Sequence, residues 1–331
     1  MDRRGFLRSS GFLSVSVAMG GLAGCGDSGS LPSPAMGSGW KFPQSVGAGD
    51  PSPDGVVLWT RVVPLSADDV STAPGLRDVS IRLRVTDADN RASLGSTTAL
   101  TGALLVDSLV PVRAEYDSTV RNKVTGLAPG RLYYYQFIAG DVRSRVGRFR
   151  TAPARGASVD QMRLIFMSCQ DWSVNHWGAF EHIAKNEDAD LIVHLGDYIY
   201  ETVGEAFQTG AVESRHDALV LPDGVFKNGS SGGKYASTLA DYRYLYKKYR
   251  SDPRLQAVHE RFAFVATWDD HEFSDDCYGD ATTYDNGSYD AATDGLLVMR
   301  YLLGFRGAAL IANAVGTCPP MATCRTSAVD I

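Results

Sequence analysis

The sequence carries no surplus of positive charge: 32 Lys and Arg stand against 38 Asp and Glu, a formal net charge of −6 over 331 residues. This excludes the basic footprint by which proteins hold nucleic acid, so the chain has no nucleic-acid-binding signature. An anionic substrate has to be drawn in by a local cationic site and not by the field of the whole protein. Long apolar runs are missing too. The stretch from Gly11 to Ala23 is short and rich in Gly and Ser, well below the roughly 20 residues that span a bilayer. A second apolar segment, 295–315, is interrupted by Arg300 and Arg306. Histidine is scarce, with six in the chain and none beyond His271. Helical periodicity is absent between Trp40 and Pro153. What remains is an ordinary globular balance, 44% hydrophobic and 21% charged, long enough for two domains that each bury a core.

The first residues read as an address. Arg3 and Arg4 precede the weakly apolar stretch, a pattern similar to a twin-arginine export signal. Leu22-Ala23-Gly24-Cys25 resembles a bacterial lipoprotein box, in which Cys25 is acylated and becomes the first residue. The alternative is plain cleavage by an ordinary signal peptidase. Residues 1–25 are therefore set aside as a signal peptide, and 26–39, rich in Gly, Ser and Pro, as a flexible linker. The implied location is exported, in the periplasm or at the cell surface, with a lipid anchor as the contact with the membrane. Export places Cys169, Cys277, Cys318 and Cys324 in an oxidising compartment. Cys318 and Cys324 are close enough in sequence to close a small loop. Cys169 and Cys277 are left either as a second pair or as free thiols.

From 40 to 153 the texture is that of short alternating strands: 56–63, 79–87, 121–127, 132–140 and 144–151. The expected fold is a β-sandwich of immunoglobulin or fibronectin type. Leu127 to Tyr133 reads as a tyrosine corner, the alternative being that Tyr133 to Tyr135 are plain strand aromatics. A second region, 160–331, begins with three compact apolar runs, 163–168, 191–196 and 262–268, which suggest strands buried on both faces. Trp177, Phe180, Ile183 and Ala184 at helical spacing make the first two a βαβ unit. Thr238 to Asp241 opens a helical pattern as a capping box, and Asp252-Pro253 restarts a helix. Residues 202–236 read as a long surface loop. The fold class is thus α+β, a sandwich followed by a partial α/β domain.

Each of the three runs ends in residues fit for metal or acid–base work: Ser168 to Asp171, Gly196 to Glu201, and Trp268 to Glu272. Ligands in α/β folds bind outside the carboxyl ends of strands, so three such ends converge. So many acidic donors demand a cation. Two cations bridged by a shared carboxylate, for which Asp197 is suited, would activate water and hold a phosphate. Asp270 is a ligand for the second metal. His271 is the catalytic group, protonating the leaving alkoxide or stabilising the transferring phosphoryl group. Taken singly, each has a plainer explanation: Cys169 as a structural thiol, Asp197 as a turn residue, Tyr200 and His194 as core.

The segments LGDYIYE and TWDDHEF are similar to motifs of calcineurin-like metallophosphoesterases, and with SCQDW in front they resemble the PhoD-type alkaline phosphatases. Residues 42–62 and 238–262 resemble that family's N-terminal β-domain and its helical lead-in to the third strand. The resemblance implies a hydrolase of the alkaline phosphatase or phosphodiesterase type, acting on a small phosphate ester. It implies Cys169 and Tyr200 as ligands of a ferric iron, Asp197 as the bridge, and calcium in the neighbouring sites with Asp270. These donors suit those ions. Arg243 is a candidate for binding phosphate, or else a helix-surface ion pair. Family members continue well beyond the third motif, so the second domain is expected to be incomplete here. The competing expectation is a non-catalytic surface lipoprotein, a truncated remnant of the family.

Overall fold

The computed structural model describes residues 39–71, 76–209, 216–226 and 233–275. The signal peptide with Cys25, nearly all of the linker, Cys277, Cys318, Cys324 and the segment 295–315 lie outside the described residues. Among the described residues no helix is long and apolar enough to cross a membrane. The fold is α+β. The chain divides into two compact units.

Among the described residues the first unit is built on seven longer strands: β1 (Val46–Ser52), β2 (Gly55–Arg61), β3 (Val79–Thr86), β4 (Val106–Val112), β5 (Thr119–Val124), β6 (Leu132–Ala139) and β7 (Gly147–Arg150). One sheet runs β7-β6-β3-β4, and β1-β2-β5 stand side by side in the other. Alternation decides which side chains go in. Val56 and Leu58 from β2, Ile81, Leu83 and Val85 from β3, and Tyr133, Tyr135 and Phe137 from β6 form one apolar core, as a period of two requires when each sheet buries one face. Strands β1 and β4 escape a reading of the sequence, because Gly47, Gly49 and Pro51 in one and Asp107 and Pro111 in the other oppose strand propensity. Pairing overrides this. β1 keeps an antiparallel ladder with β2, with a register shift between Gly49 and Ser52. Pro111 is tolerated because β4 is the edge of its sheet, where a missing N–H costs nothing.

The tyrosine corner is present. Tyr133 Oη accepts from Ala128 N–H at 2.8 Å and donates to Ala128 O at 3.2 Å, pinning the turn before β6.

Two helices group with this unit, α1 (Gly178–Asn186) and, near the end of the described chain, α3 (Pro253–Arg261). Asp252 caps α3, its carboxylate accepting from Arg254 N–H at 2.8 Å and Leu255 N–H at 3.3 Å, with proline at the first turn. Both features make the helix start where it does.

The second unit holds residues 165–177, 192–249 and those from 265. It takes the carboxyl ends of β8 (Leu164–Met167), β9 (Leu191–His194) and β10 (Ala263–Ala266), together with helix α2 (Leu239–Tyr249). β8 and β9 run the same way: Leu195 N–H donates to Met167 O at 2.8 Å and Cys169 N–H to Gly196 O at 3.2 Å. The capping box of α2 forms as its sequence requires, with Thr238 N–H on Asp241 at 3.1 Å and Asp241 N–H on Thr238 Oγ1 at 3.3 Å.

Two expectations are corrected. β8 is not buried on both faces, since Phe166 is 49% exposed; among the described residues β8 has a neighbouring strand on one side only. Nor is 202–236 a plain surface loop. Among its described residues Thr202–Val203, Val225–Phe226 and Lys234–Tyr235 pair into a small antiparallel sheet. Leu219, Leu221 and His216 are buried, and the His216 ring lies flat on Trp172 at 3.6 Å. The segment is polar in composition but carries enough apolar and ring surface to fold back.

Tyr133→Phe is expected to lower the unfolding free energy by about 1–2 kcal/mol, because it leaves a partly buried Ala128 N–H without its acceptor. Urea denaturation followed by tryptophan fluorescence checks this. An unchanged midpoint would show that the corner contributes only shape.

Candidate metal and active site

All the residues of the site belong to the second unit. After β8 and after β9 the chain turns through left-handed backbone, at Cys169 (φ 55°) and Asp197 (φ 54°). Non-glycine residues seldom adopt this conformation, and it concentrates where function demands a particular side-chain direction. Gly196 stands just before, at φ 108°. A Cβ there would lie 2.5 Å from Asp269 Cβ, so only glycine lets the end of β9 approach the turn that follows β10. Gln170 N–H donates to Asp197 O at 3.1 Å, which ties the first two turns together.

The third turn is a 3₁₀ segment, Asp270–Glu272, closed by a capping box between Asp269 and Glu272. The buried Glu272 carboxylate accepts from Asp269 N–H at 2.8 Å, Asp197 N–H at 3.0 Å and Tyr198 N–H at 2.6 Å. One side chain thereby satisfies donors from two strand ends.

These turns bring Asp197, Asp270 and His271 together, with one potential ligand atom from each lying within 4.8 Å of the others. Tyr200 Oη donates to Asp197 Oδ2 at 3.3 Å, and the exposed Cys169 thiol is within hydrogen-bonding reach of both. Burial raises the pKa values here, and like charge adds to it. The Asp197 carboxyl is pushed up by burial and by Asp270, against the pull of His271. Asp269 is raised to about 7 by burial and by the charges of Asp197 and Asp270. Burial and then Asp197 raise the phenol of Tyr200 as well. The other Asp197 oxygen, Oδ1, is buried and has no hydrogen-bond partner among the described residues. An orphaned carboxylate oxygen among a thiol, a phenol, further carboxyls and an imidazole is the arrangement that a multivalent cation relieves. The residues present fit a metal.

His271 is oriented from behind. Its Nδ1 lies 2.8 Å from Glu201 Oε2, and its ring packs on Tyr200 with centroids 4.0 Å apart. Burial alone would lower its pKa, but the hydrogen bond and charge of Glu201, then Asp197 and Asp270, outweigh it and raise it to about 9. The surrounding carboxylates thus favour the protonated imidazole. Its Nε2 lies 3.8 Å from Asp275 Oδ1, too far for a hydrogen bond.

His194 takes another role. It is fully buried, lies 3.1 Å from Gln170 Oε1 and accepts from Gly196 N–H at 3.3 Å. Burial lowers its pKa to about 4, so it is a neutral strut beneath the turn. Arg243 lies half-buried on α2. Motif reasoning assigns no role to Glu201, Asp269 or Glu272, although each lies inside a singled-out cluster. The signal that finds Glu272 is the Asp269-x-x-Glu272 spacing of a capping box.

The PhoD-like phosphatase N-terminal domain model matches residues 29–153, and the PhoD-like phosphatase model matches 164–299. Alkaline phosphatase D of Bacillus subtilis (strain 168) is 34% identical over 279 residues, which are 82% of this chain and 42% of that protein. A solved structure of PhoD superposes with a TM-score of 0.60 at 29% identity, over 85% of this chain and 47% of that one. The chain thus spans less than half the length of these relatives.

Glu272→Ala is expected to cost about 3 kcal/mol of stability, since three N–H groups lose a charged acceptor. The amides of Asp197 and Asp269 should then exchange with deuterium faster than those of the sandwich. Unchanged exchange at both amides would mean that Glu272 does not organise the turns.

Proposed function

The chain belongs to the PhoD-like phosphatase family, and from that premise we propose that it hydrolyses phosphate esters at the Asp197–Asp270–His271 cluster with the help of bound metal ions. It is a hydrolase by family. The observation that carries the metal is the buried, unpartnered Oδ1 of Asp197 inside a set of acidic donors. Cys169, Tyr200 and Asp197 would hold a ferric iron, because thiolate and phenolate are strong donors to a highly charged ion. Asp197 and Asp270 would share a calcium, which prefers carboxylate oxygens. When bound, such ions supply Lewis acidity toward a phosphoryl oxygen and lower the pKa of water.

The protein's own groups do the rest. Glu201 fixes the Nδ1 side of His271 and keeps the ring protonated, which directs the Nε2 proton outward. That proton is available to the departing ester oxygen, so an alkoxide need not leave uncompensated. The same cation sits among acidic residues in a chain of negative net charge, and it gives the phosphate a local point of attraction. Glu272 and the left-handed backbone at Cys169 and Asp197 hold the donors in place before substrate arrives. Residues 1–25 are consistent with export, and acylation at Cys25 would anchor the enzyme at the periplasmic or outer face of a membrane.

Two measurements test this. Iron and calcium content of the purified protein is determined by elemental analysis, alongside hydrolysis of p-nitrophenyl phosphate at alkaline pH. We expect bound metal, and in Asp197→Asn both its loss and a fall in turnover of about a thousandfold or more. A metal-free, inactive wild-type protein would overturn the assignment and favour the non-catalytic reading. For the anchor, Cys25→Ser is expected to move the exported protein from the membrane fraction to the soluble one. Its retention in the membrane fraction would exclude acylation there.

A further inference from the structure

The first unit contains a crevice that none of the residues of the candidate site line. It lies beside the edge strand β7, with Arg148 and Arg150 on one wall. Arg261 and Phe262 from the end of α3 form another wall, and Asp188 and Asp190 complete it. Three arginines therefore meet two aspartates. The pairing is uneven. Arg150 Nε holds Asp190 at 3.1 Å, and Asp188 is engaged at 3.4 Å by Arg163 from outside the crevice. Arg148 reaches Asp188 only at 3.8 Å, and that aspartate is largely exposed. Arg261 has no carboxylate partner among the described residues, and its Nε is buried without a hydrogen bond.

The two under-compensated guanidinium groups line the same crevice. Both sit over the ring of Phe262, at 5.3 Å and 5.9 Å from its centroid. Arg148 Nε donates to Arg261 O at 2.8 Å, which fixes its fork and leaves its terminal nitrogens with only the long 3.8 Å approach to Asp188. Burial, and next the neighbouring charge of Arg261, lower the pKa of Arg148, with Tyr134 and Asp188 pulling the other way. The crevice holds about 20 Å³, room for one water-sized oxygen and no more. A ligand would enter by an oxygen edge and keep its bulk at the mouth.

We propose that Arg148 and Arg261 form an anion-binding site for a tetrahedral oxyanion of the phosphate class. Guanidinium groups match phosphate through paired N–H···O bonds, and a dianion neutralises two cations at once. Two sources share this chemistry, inorganic phosphate and the phosphate of an ester. The site stands independently of whether the acidic cluster turns over.

The test uses the whole protein with a chelator present, which removes any metal-held phosphate, and inorganic phosphate as the probe at constant ionic strength set with chloride. Thermal unfolding should shift upward with phosphate and saturate in the millimolar range, as mass action requires. Arg261→Gln, at a half-exposed position where folding should survive, is expected to weaken the apparent affinity about tenfold, the loss of one charge-assisted pair. Asp197→Asn should leave the shift unchanged. Glycerol 2-phosphate in place of inorganic phosphate separates the two sources: an equal shift assigns the site to esters as well, and no shift restricts it to the free ion. No saturable shift with phosphate, or one that survives Arg261→Gln undiminished, would overturn the site.

Discussion

The carboxylate of Glu272 accepts three backbone N–H groups, from Asp197, Tyr198 and Asp269, and the arrangement of the candidate site depends on it. The turns after β9 and β10 are short and carry several acidic side chains that repel one another. Left alone they would spread. Glu272, although acidic itself, removes three buried donors from the list of unsatisfied groups and draws the turns together. The cost appears in its own carboxyl, which burial pushes upward despite those hydrogen bonds. A buried charge with good partners is tolerated where an unpaired one is not.

Strain and like charge accumulate at the same place. Cys169 and Asp197 occupy left-handed backbone, and Gly196 before Asp197 cannot carry a side chain without meeting Asp269. Asp197 keeps one buried oxygen without a partner. Neither feature stabilises the polypeptide. Both point donors at a common centre and leave the repulsion for a cation to relieve. The sandwich unit shows the opposite economy: its apolar core takes alternate residues of its strands, and its special turn is closed by the Tyr133 hydroxyl.

Much of this is legible in the sequence. Alternating residues in 56–63, 79–87 and 132–140 mark strands because one face must be apolar. The compact runs before Cys169, Gly196 and Asp269 mark strand ends that carry chemistry. Other features are hidden for physical reasons. β1 and β4 hold glycine, proline and aspartate, and only pairing with neighbours makes them strands. The segment 202–236 looks polar, yet His216 packs flat on Trp172 through contacts far apart in sequence. Glu201 and Glu272 act by orienting other groups, and a motif weighted toward ligands passes over them.

The orientation of His271 shows how tightly chemistry and backbone are coupled. Glu201 uses one oxygen on His271 Nδ1 at 2.8 Å and the other on Asp275 N–H at 2.6 Å. The group that keeps the imidazole protonated therefore also holds the chain just beyond the third turn. Any displacement of that backbone would swing the Glu201 carboxylate, weaken the bond to Nδ1, and let burial pull the imidazole pKa back down. Proton donation from Nε2 would then fail even with every ligand in place. The acid function proposed for His271 would thus be a property of the folded turn that runs to Asp275, and not of the histidine and its motif alone.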